Sequence, residues 1–406
     1  MAVSDMLRRE LILGGGVALG TIALGTGAKA ADGPLRLGML LDLTDVYADN
    51  AGRGSETAAR MAIGDFGGTV LGRPIELVVA DHQNKSDIAA AIARRWFDQD
   101  GVQAILEVVA SAPTISAISA AKQFNKLVIS NGAGSSALTD EDCDRHFVQY
   151  TYTSRAFAET VGGALAARGA LSWYFLTLDT TFGIQLEADT AAVIKGAGGT
   201  VLGSVKVPTD TTDFASFLIQ AQNSGAQVIG LTIAGNDAVN ALKQAHEFGL
   251  LRGGKQQVAG LIVSVNDIDA VGLEIAQGLL LADPFYWNYD EKTRAFGKRY
   301  FSKMKKMPTY VQAGGYSSTL TYLKAVKAAG TVDTDPVLQK LHTMRIDDAF
   351  TQNGHIRKSG LMVHDMHLFR VKKPSESKEP WDFYDLVTTL PGEEMFGPEA
   401  QSKCRL

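Results

Sequence analysis

Residues 35–66 read LRLGMLLDLTDVYADNAGRGSETAARMAIGDF, and this stretch decides the fold. Leu35, Leu37, Met39, Leu40 and Leu41 make an apolar run of strand length. From Ser55 onward, Ala58, Ala59, Ala62, Ile63 and Phe66 recur on one helical face, with Glu56, Arg60 and Asp65 off it. Between them, Asp42 to Gly54 carries Asn, Asp and two glycines and reads as a loop. A loop at the carboxyl end of a strand, facing a helix start, is where open α/β sheets bind ligands. Tyr47 in that loop is therefore a candidate contact, the alternative being a tyrosine that packs its own loop.

The same rhythm continues outward. Strands are predicted at Ile75–Ala80, Ala104–Val109 and Leu127–Ser130, alternating with helices at Asp87–Asp98 and Thr114–Phe124. After Phe147–Tyr152 the alternation restarts, with helices at Ser154–Arg168, Thr181–Ala197, Phe214–Ser224 and Asp237–Phe248. Strands at Trp173–Leu178, Thr200–Val207, Val228–Thr232 and Val258–Val263 lie between them. The hexapeptide Gly67-Gly68-Thr69-Val70-Leu71-Gly72 recurs as Gly198-Gly199-Thr200-Val201-Leu202-Gly203. Each copy is expected to end a helix with glycines and enter a sheet, so the two halves read as lobes of like topology. The final third is less regular, and its pieces are expected to complete the two sheets rather than build a third domain.

The first thirty residues read as a targeting segment. Arg8 and Arg9 precede an apolar run from Leu11 to Leu24, and Ala28-Lys29-Ala30 is a small-x-small cleavage site. Export with cleavage near Ala30 is expected, by the Sec or the twin-arginine route. Of 406 residues roughly 375 then remain, enough for two lobes. The whole chain has formal net charge -5, and removing Arg8, Arg9, Lys29, Asp5 and Glu10 leaves it near -6. No basic run with interleaved aromatics is present, which speaks against nucleic acid. The two cysteines, Cys143 and Cys404, are too few for a cysteine zinc cluster. In an exported protein they are expected to form one disulfide that pins the tail to the first lobe.

The succession DLTDVYAD, AARMAIGDFGG and IELVVADHQNKSD, then DGVQAILEVVASAP, LVISNGAGSSALT and FLTLDTTFG, resembles the periplasmic binding proteins of the leucine/isoleucine/valine type. DPFYWNYD and QAGGYSSTLTYLKAVKAAGT extend the likeness over nearly the whole mature chain. Those proteins are the substrate-binding components of ABC importers. The resemblance implies an α/β fold of two Rossmann-like lobes with parallel-sheet cores, joined by a three-strand hinge. The expected division is 1–30 signal peptide, 31–152 with 284–345 as lobe 1, 153–283 with 346–380 as lobe 2, and 381–406 returning to lobe 1. It further implies a small ligand gripped as the lobes close, a membrane permease and its ATPase as partners, a monomer, and no cofactor.

Carried over residue by residue, the resemblance implies ligand contacts at Ala110 and Ser111 and at Asn131, Gly132 and Ala133. A serine hydroxyl and main-chain N–H groups suit a carboxylate. Amino-acid-binding relatives have a threonine near Gly134, which is missing here. They also hold the ligand ammonium with a second-lobe acid, whereas Leu261-Ile262-Val263-Ser264-Val265 has none; Asp267, Asp179 and Asp237 are the acids nearby. Phe182 falls where relatives place a stacking aromatic, with Tyr47, Tyr316, Tyr286 and Trp287 as further aromatic surface and Asn236 as a polar contact. An aromatic or planar carboxylate is therefore the expected ligand, with a branched-chain or other amino acid or amide as the alternative. A ligand sensor of the same fold is the other functional class. Catalysis is not expected. Ser111 has no evident base, and His364 and His367 are spaced to opposite faces of a strand, which favours packing over a metal.

Overall fold

The computed structural model describes residues 33–251, 254 and 256–406. The export segment predicted over residues 1–30 lies outside them. The first sheet takes β1 (Leu35–Leu41), β2 (Thr69–Val70), β3 (Arg73–Asp81), β4 (Val102–Val108), β5 (Leu127–Ser130) and β6 (Phe147–Gln149) in the order β2-β3-β1-β4-β5-β6. All pair in parallel except the β2–β3 hairpin. Central β1 is apolar at almost every position because both its faces are covered. Leu35, Leu37, Met39 and Leu41 pack with helix Gly52–Phe66, while Leu40 packs with Trp96 and Phe97 of helix Ser86–Asp98 on the other side.

The second sheet takes β7 (Ser172–Leu178), β8 (Thr200–Val207), β9 (Val228–Thr232) and β10 (Gln257–Gly260) in the order β10-β9-β7-β8, all parallel. Then come β11 (Leu280–Asp283), the small hairpin β12 (His355–Ile356) and β13 (Met362–Val363), and β14 (Met366–Val371) with β15 (Tyr384–Leu390). Strands β11, β14 and β15 form a separate antiparallel sheet beside β10, where a third small sheet stands in place of the predicted extensions. Between β11 and β14 the chain returns to the first lobe, where helix Tyr310–Ala329 packs along Gly52–Phe66. The two lobes thus share one chain that passes between them repeatedly, as the resemblance implied.

The repeated hexapeptide does two different things. In the first copy Gly67 has φ 106° and closes the helix, but Leu71 and Gly72 then turn the chain back, with φ 51° and 76°. Only the second copy runs on into a long strand, β8. His364 and His367 sit in packed positions with separate partners, the Thr151 carbonyl at 2.8 Å and the Thr389 hydroxyl at 3.0 Å. Cys143 and Cys404 are bonded, with Cα atoms 5.6 Å apart. The tail reaches the first lobe only at its very end, since Tyr384–Leu390 pairs with β14 and the Asp140 carboxylate is met by Ser402 and Lys403.

Candidate functional site

Strand β4 delivers the chain to Ala110, whose φ of 67° is a sparsely populated conformation for a residue with a side chain. The turn is pinned by Thr114, whose hydroxyl bonds the Ala110 carbonyl at 2.7 Å and the Val108 carbonyl at 3.1 Å. Helix Ser111–Phe124 then starts three residues earlier than its sequence periodicity suggests, because Pro113 sits in a first turn that needs no N–H from it. Across the gap, Thr180 caps helix Thr181–Gly196 by accepting from the Gly183 N–H at 3.1 Å. A third helix, Tyr310–Ala329, is capped by Thr309.

The first residues of all three helices line one cleft of about 370 Å³. The N–H groups of Ser111, Ala112, Thr181, Phe182, Tyr310 and Val311 have no protein acceptor among the described residues. Ser111 Oγ accepts from the Ser135 N–H at 3.2 Å, and its own hydrogen likewise has no protein acceptor. Three positive helix ends therefore meet in one space whose lining residues include no Lys, Arg or His. A wider groove of about 570 Å³ opens near Gln227, Gln257 and Leu280. That groove lies at the amino ends of strands, the wrong end for a ligand in an open α/β sheet.

The cleft walls are aromatic. Tyr152 meets Phe182 edge to face at 6.0 Å and Tyr310 edge to face at 5.3 Å, and Tyr47 completes the lining. Burial pushes the phenols of Tyr47, Tyr152 and Tyr310 up, so all three remain neutral donors. The loop holding Tyr47 is tied by buried Asp42, which accepts from the Asp45 N–H at 2.8 Å and the Tyr47 N–H at 2.9 Å.

The lobes are bridged beside the cleft. Ser264 Oγ lies 2.8 Å from Asn50 Oδ1, Asn50 Nδ2 lies 3.4 Å from the Asp267 carboxylate, and Asn266 Nδ2 donates to the Asp49 carbonyl at 3.0 Å. Asp267 is thereby occupied. It also takes the Ser264 N–H at 2.7 Å, closing a capping box, and burial pushes its carboxyl up to about 6. Asp237 is held by the Asp210 N–H at 3.1 Å and is likewise pushed up to about 6 by burial. Of the three acids considered for a ligand ammonium, only exposed Asp179 lines the cleft.

Of the expected contacts, Tyr47, Ala110, Ser111, Gly132 and Phe182 line this cleft. The others lie outside its lining. Asn131 is buried below it, its amide donating to Ser318 Oγ at 3.1 Å, and Ala133 is buried too. The amides expected to hold a ligand are consumed internally. Gly132 N–H goes to Glu107 Oε1 at 3.1 Å, and Ala133 N–H to Ser130 Oγ at 2.9 Å. Tyr286 is locked under β15, donating to the Trp381 carbonyl at 2.9 Å, with Trp287 donating to the same atom. Tyr316 donates to Asp65 at 2.8 Å between helices, and Asn236 is exposed at a helix start outside the lining. Tyr152, Tyr310, Asn50, Asn84 and Thr209 line the cleft without having been singled out.

A periplasmic binding protein family model matches residues 34–378. A periplasmic binding protein from Burkholderia mallei is 48% identical, with TM-score 0.89, covering 91% of this chain and 98% of its own. A branched chain amino acid ABC transporter periplasmic ligand-binding protein from Burkholderia xenovorans is 43% identical, with TM-score 0.82, over 91% and 99%. At 21% identity the fold is shared with a solute binding protein of an ABC transporter from Rhodopseudomonas palustris in complex with 3,4-dihydroxy benzoic acid, with TM-score 0.80 over 88% and 98%.

Proposed function

The chain belongs to the periplasmic binding protein family, and from that premise we propose that it captures an aromatic or similarly planar carboxylate for ABC import. The observation that carries this reading is the meeting of three helix starts with four aromatic rings in one cleft. Unpaired N–H groups and the Ser111 hydroxyl suit a carboxylate, and Tyr47, Tyr152, Phe182 and Tyr310 suit a ring. Asp267 and Asp237, already bonded within the protein, leave a ligand ammonium poorly served. The proposal includes export, a monomer, delivery to a permease with its ATPase, and the lobe division given above. Among the described residues no helix is long and apolar enough to cross a membrane.

A second reading, an amino acid, rests on Asp179, the acid on the cleft wall, and on the branched-chain description of the Burkholderia xenovorans relative. A thermal-shift screen separates the two. A ligand at about 100 times its Kd stabilises by about 2.7 kcal/mol, and benzoate or a hydroxybenzoate is expected to give the larger shift. A shift with leucine and none with any aromatic acid would overturn the reading. Delivery rather than sensing is tested by uptake, which should fail in a strain lacking this protein. Ser111→Ala removes one charge-assisted hydrogen bond and is expected to weaken the preferred acid about ten- to a hundred-fold by calorimetry. An unchanged Kd would place the carboxylate elsewhere.

A further inference from the structure

Gly134 lies in the loop after β5, and nothing in its backbone calls for glycine, since its φ is not positive. Space calls for it. A Cβ there would stand 2.5 Å from Phe182 Cε2, 2.9 Å from Phe182 Cδ2, and closer still to Tyr152 Cε2. Side-chain carbons do not approach so closely, so a ring or the loop would have to move.

The loop is poorly placed to move. Gln149 Nε2 holds the Ala133 carbonyl at 2.8 Å and the Ser135 carbonyl at 3.0 Å, and the Ser154 N–H holds the Gly134 carbonyl at 2.6 Å. Tyr152 stands nearest to that Cβ and is bounded by its hydroxyl on the Gly132 carbonyl at 3.3 Å and by edge-to-face contacts with Phe157 and Tyr310, so its ring gives way towards Phe182. Phe182, on the first turn of a second-lobe helix, is the member of the group that can yield. Its ring stands against Gly134 and meets Tyr152 edge to face, both in the first lobe.

We propose that Gly134 is a specificity-determining residue, whose missing side chain lets Phe182 of the second lobe close against Tyr152 and complete a ring-binding wall. A larger residue at 134 presses Tyr152 onto Phe182, props Phe182 away and leaves a cleft suited to smaller, non-planar ligands. The adjoining Ser135 N–H bonds Ser111 Oγ, so the same loop also sets the orientation of the hydroxyl offered to the carboxylate. The inference rests on the proposed aromatic-acid reading and names the residue that would enforce it.

The test is a double-variant cycle by calorimetry with benzoate, isovalerate and leucine as probes. Gly134→Thr is expected to weaken benzoate at least about tenfold and isovalerate less than about threefold. In a Phe182→Ala background the same change should cost benzoate less than about threefold, because Tyr152 can then swing off the new side chain into the vacated ring space. Gly134→Ala serves if the threonine variant does not fold, with melting curves as the control. Equal losses for both acids, or additive losses in the double variant, would overturn the proposal. If the parent protein prefers leucine, the aromatic reading falls. The Gly134–Phe182 coupling is then read from the leucine cycle, where additivity overturns it and non-additivity supports it.

Discussion

Replacing Cys143 and Cys404 together by serine is expected to lower stability by about 2–5 kcal/mol. For a chain of this length that corresponds to a fall in Tm of about 3–6 °C. The bond spans a sequence separation of 261, and cross-links over long loops restrict the unfolded chain most. The folded side of the balance has a definite address. Ser402 Oγ bonds Asp140 at 3.0 Å, and Arg357 bonds the Gly397 carbonyl at 2.8 Å, so part of the tail keeps its contacts without the bond. Hydrogen exchange should therefore rise over residues 402–406 while β15 stays protected. Calorimetric melting of parent and double variant checks the first expectation. An unchanged Tm would show that the bond contributes nothing to the balance.

Glu107→Gln is expected to raise stability at pH 8 by about 3 kcal/mol and to change it little at pH 4. Glu107 is fully buried on β4, with Oε1 accepting from the Asn131 and Gly132 N–H groups at 2.9 and 3.1 Å and Oε2 without a partner among the described residues. Burial pushes its carboxyl from 4.5 up to about 7, against the hydrogen bonds that favour the charged form. The folded chain thus keeps a proton that the unfolded chain releases. Stability from this group is complete below about pH 4.5, declines as pH rises towards 7, and stays reduced above it. Glutamine is neutral throughout and escapes that loss while keeping an acceptor oxygen. Asp237 and Asp267, each pushed up to about 6 by burial, titrate in the same window. The informative quantity is therefore the difference between the two proteins in urea unfolding at pH 4 and pH 8. Parallel pH profiles would contradict the assignment.

Glu107 also shows where sequence reading stopped short. A glutamate inside the apolar run AILEVV marks a buried strand with one acid in it, and that signal was available. What it does could not be read, because its partners, Ser130, Asn131 and Gly132, belong to the next strand and loop. Tyr152 and Tyr310 were missed for a related reason. One lies in a passage between lobes and the other starts a helix far along the chain, and only closure of the fold puts both beside Phe182. Gly132 lines the cleft, but the N–H expected to meet a ligand already serves Glu107.

The sequence by itself determined the alternation of strands and helices and, with the family resemblance, the two-lobed α/β class. The alternation follows from local periodicity and from helix starts, which depend on residues a few positions apart. Thr200–Val207 and Val228–Thr232 were predicted to the residue for that reason. Tertiary structure alone decided the rest. The same six letters, Gly-Gly-Thr-Val-Leu-Gly, turn back into a hairpin in one lobe and run on into a long strand in the other, because different neighbouring strands await them. Likewise, whether an amide or a carboxylate is free for a ligand depends on which distant group has already bonded it. Asp267 is spent on Asn50 and Ser264, Tyr316 on Asp65, and Tyr286 on Trp381. A buried polar group must be satisfied by whatever the fold brings near, and sequence spacing carries no record of that choice.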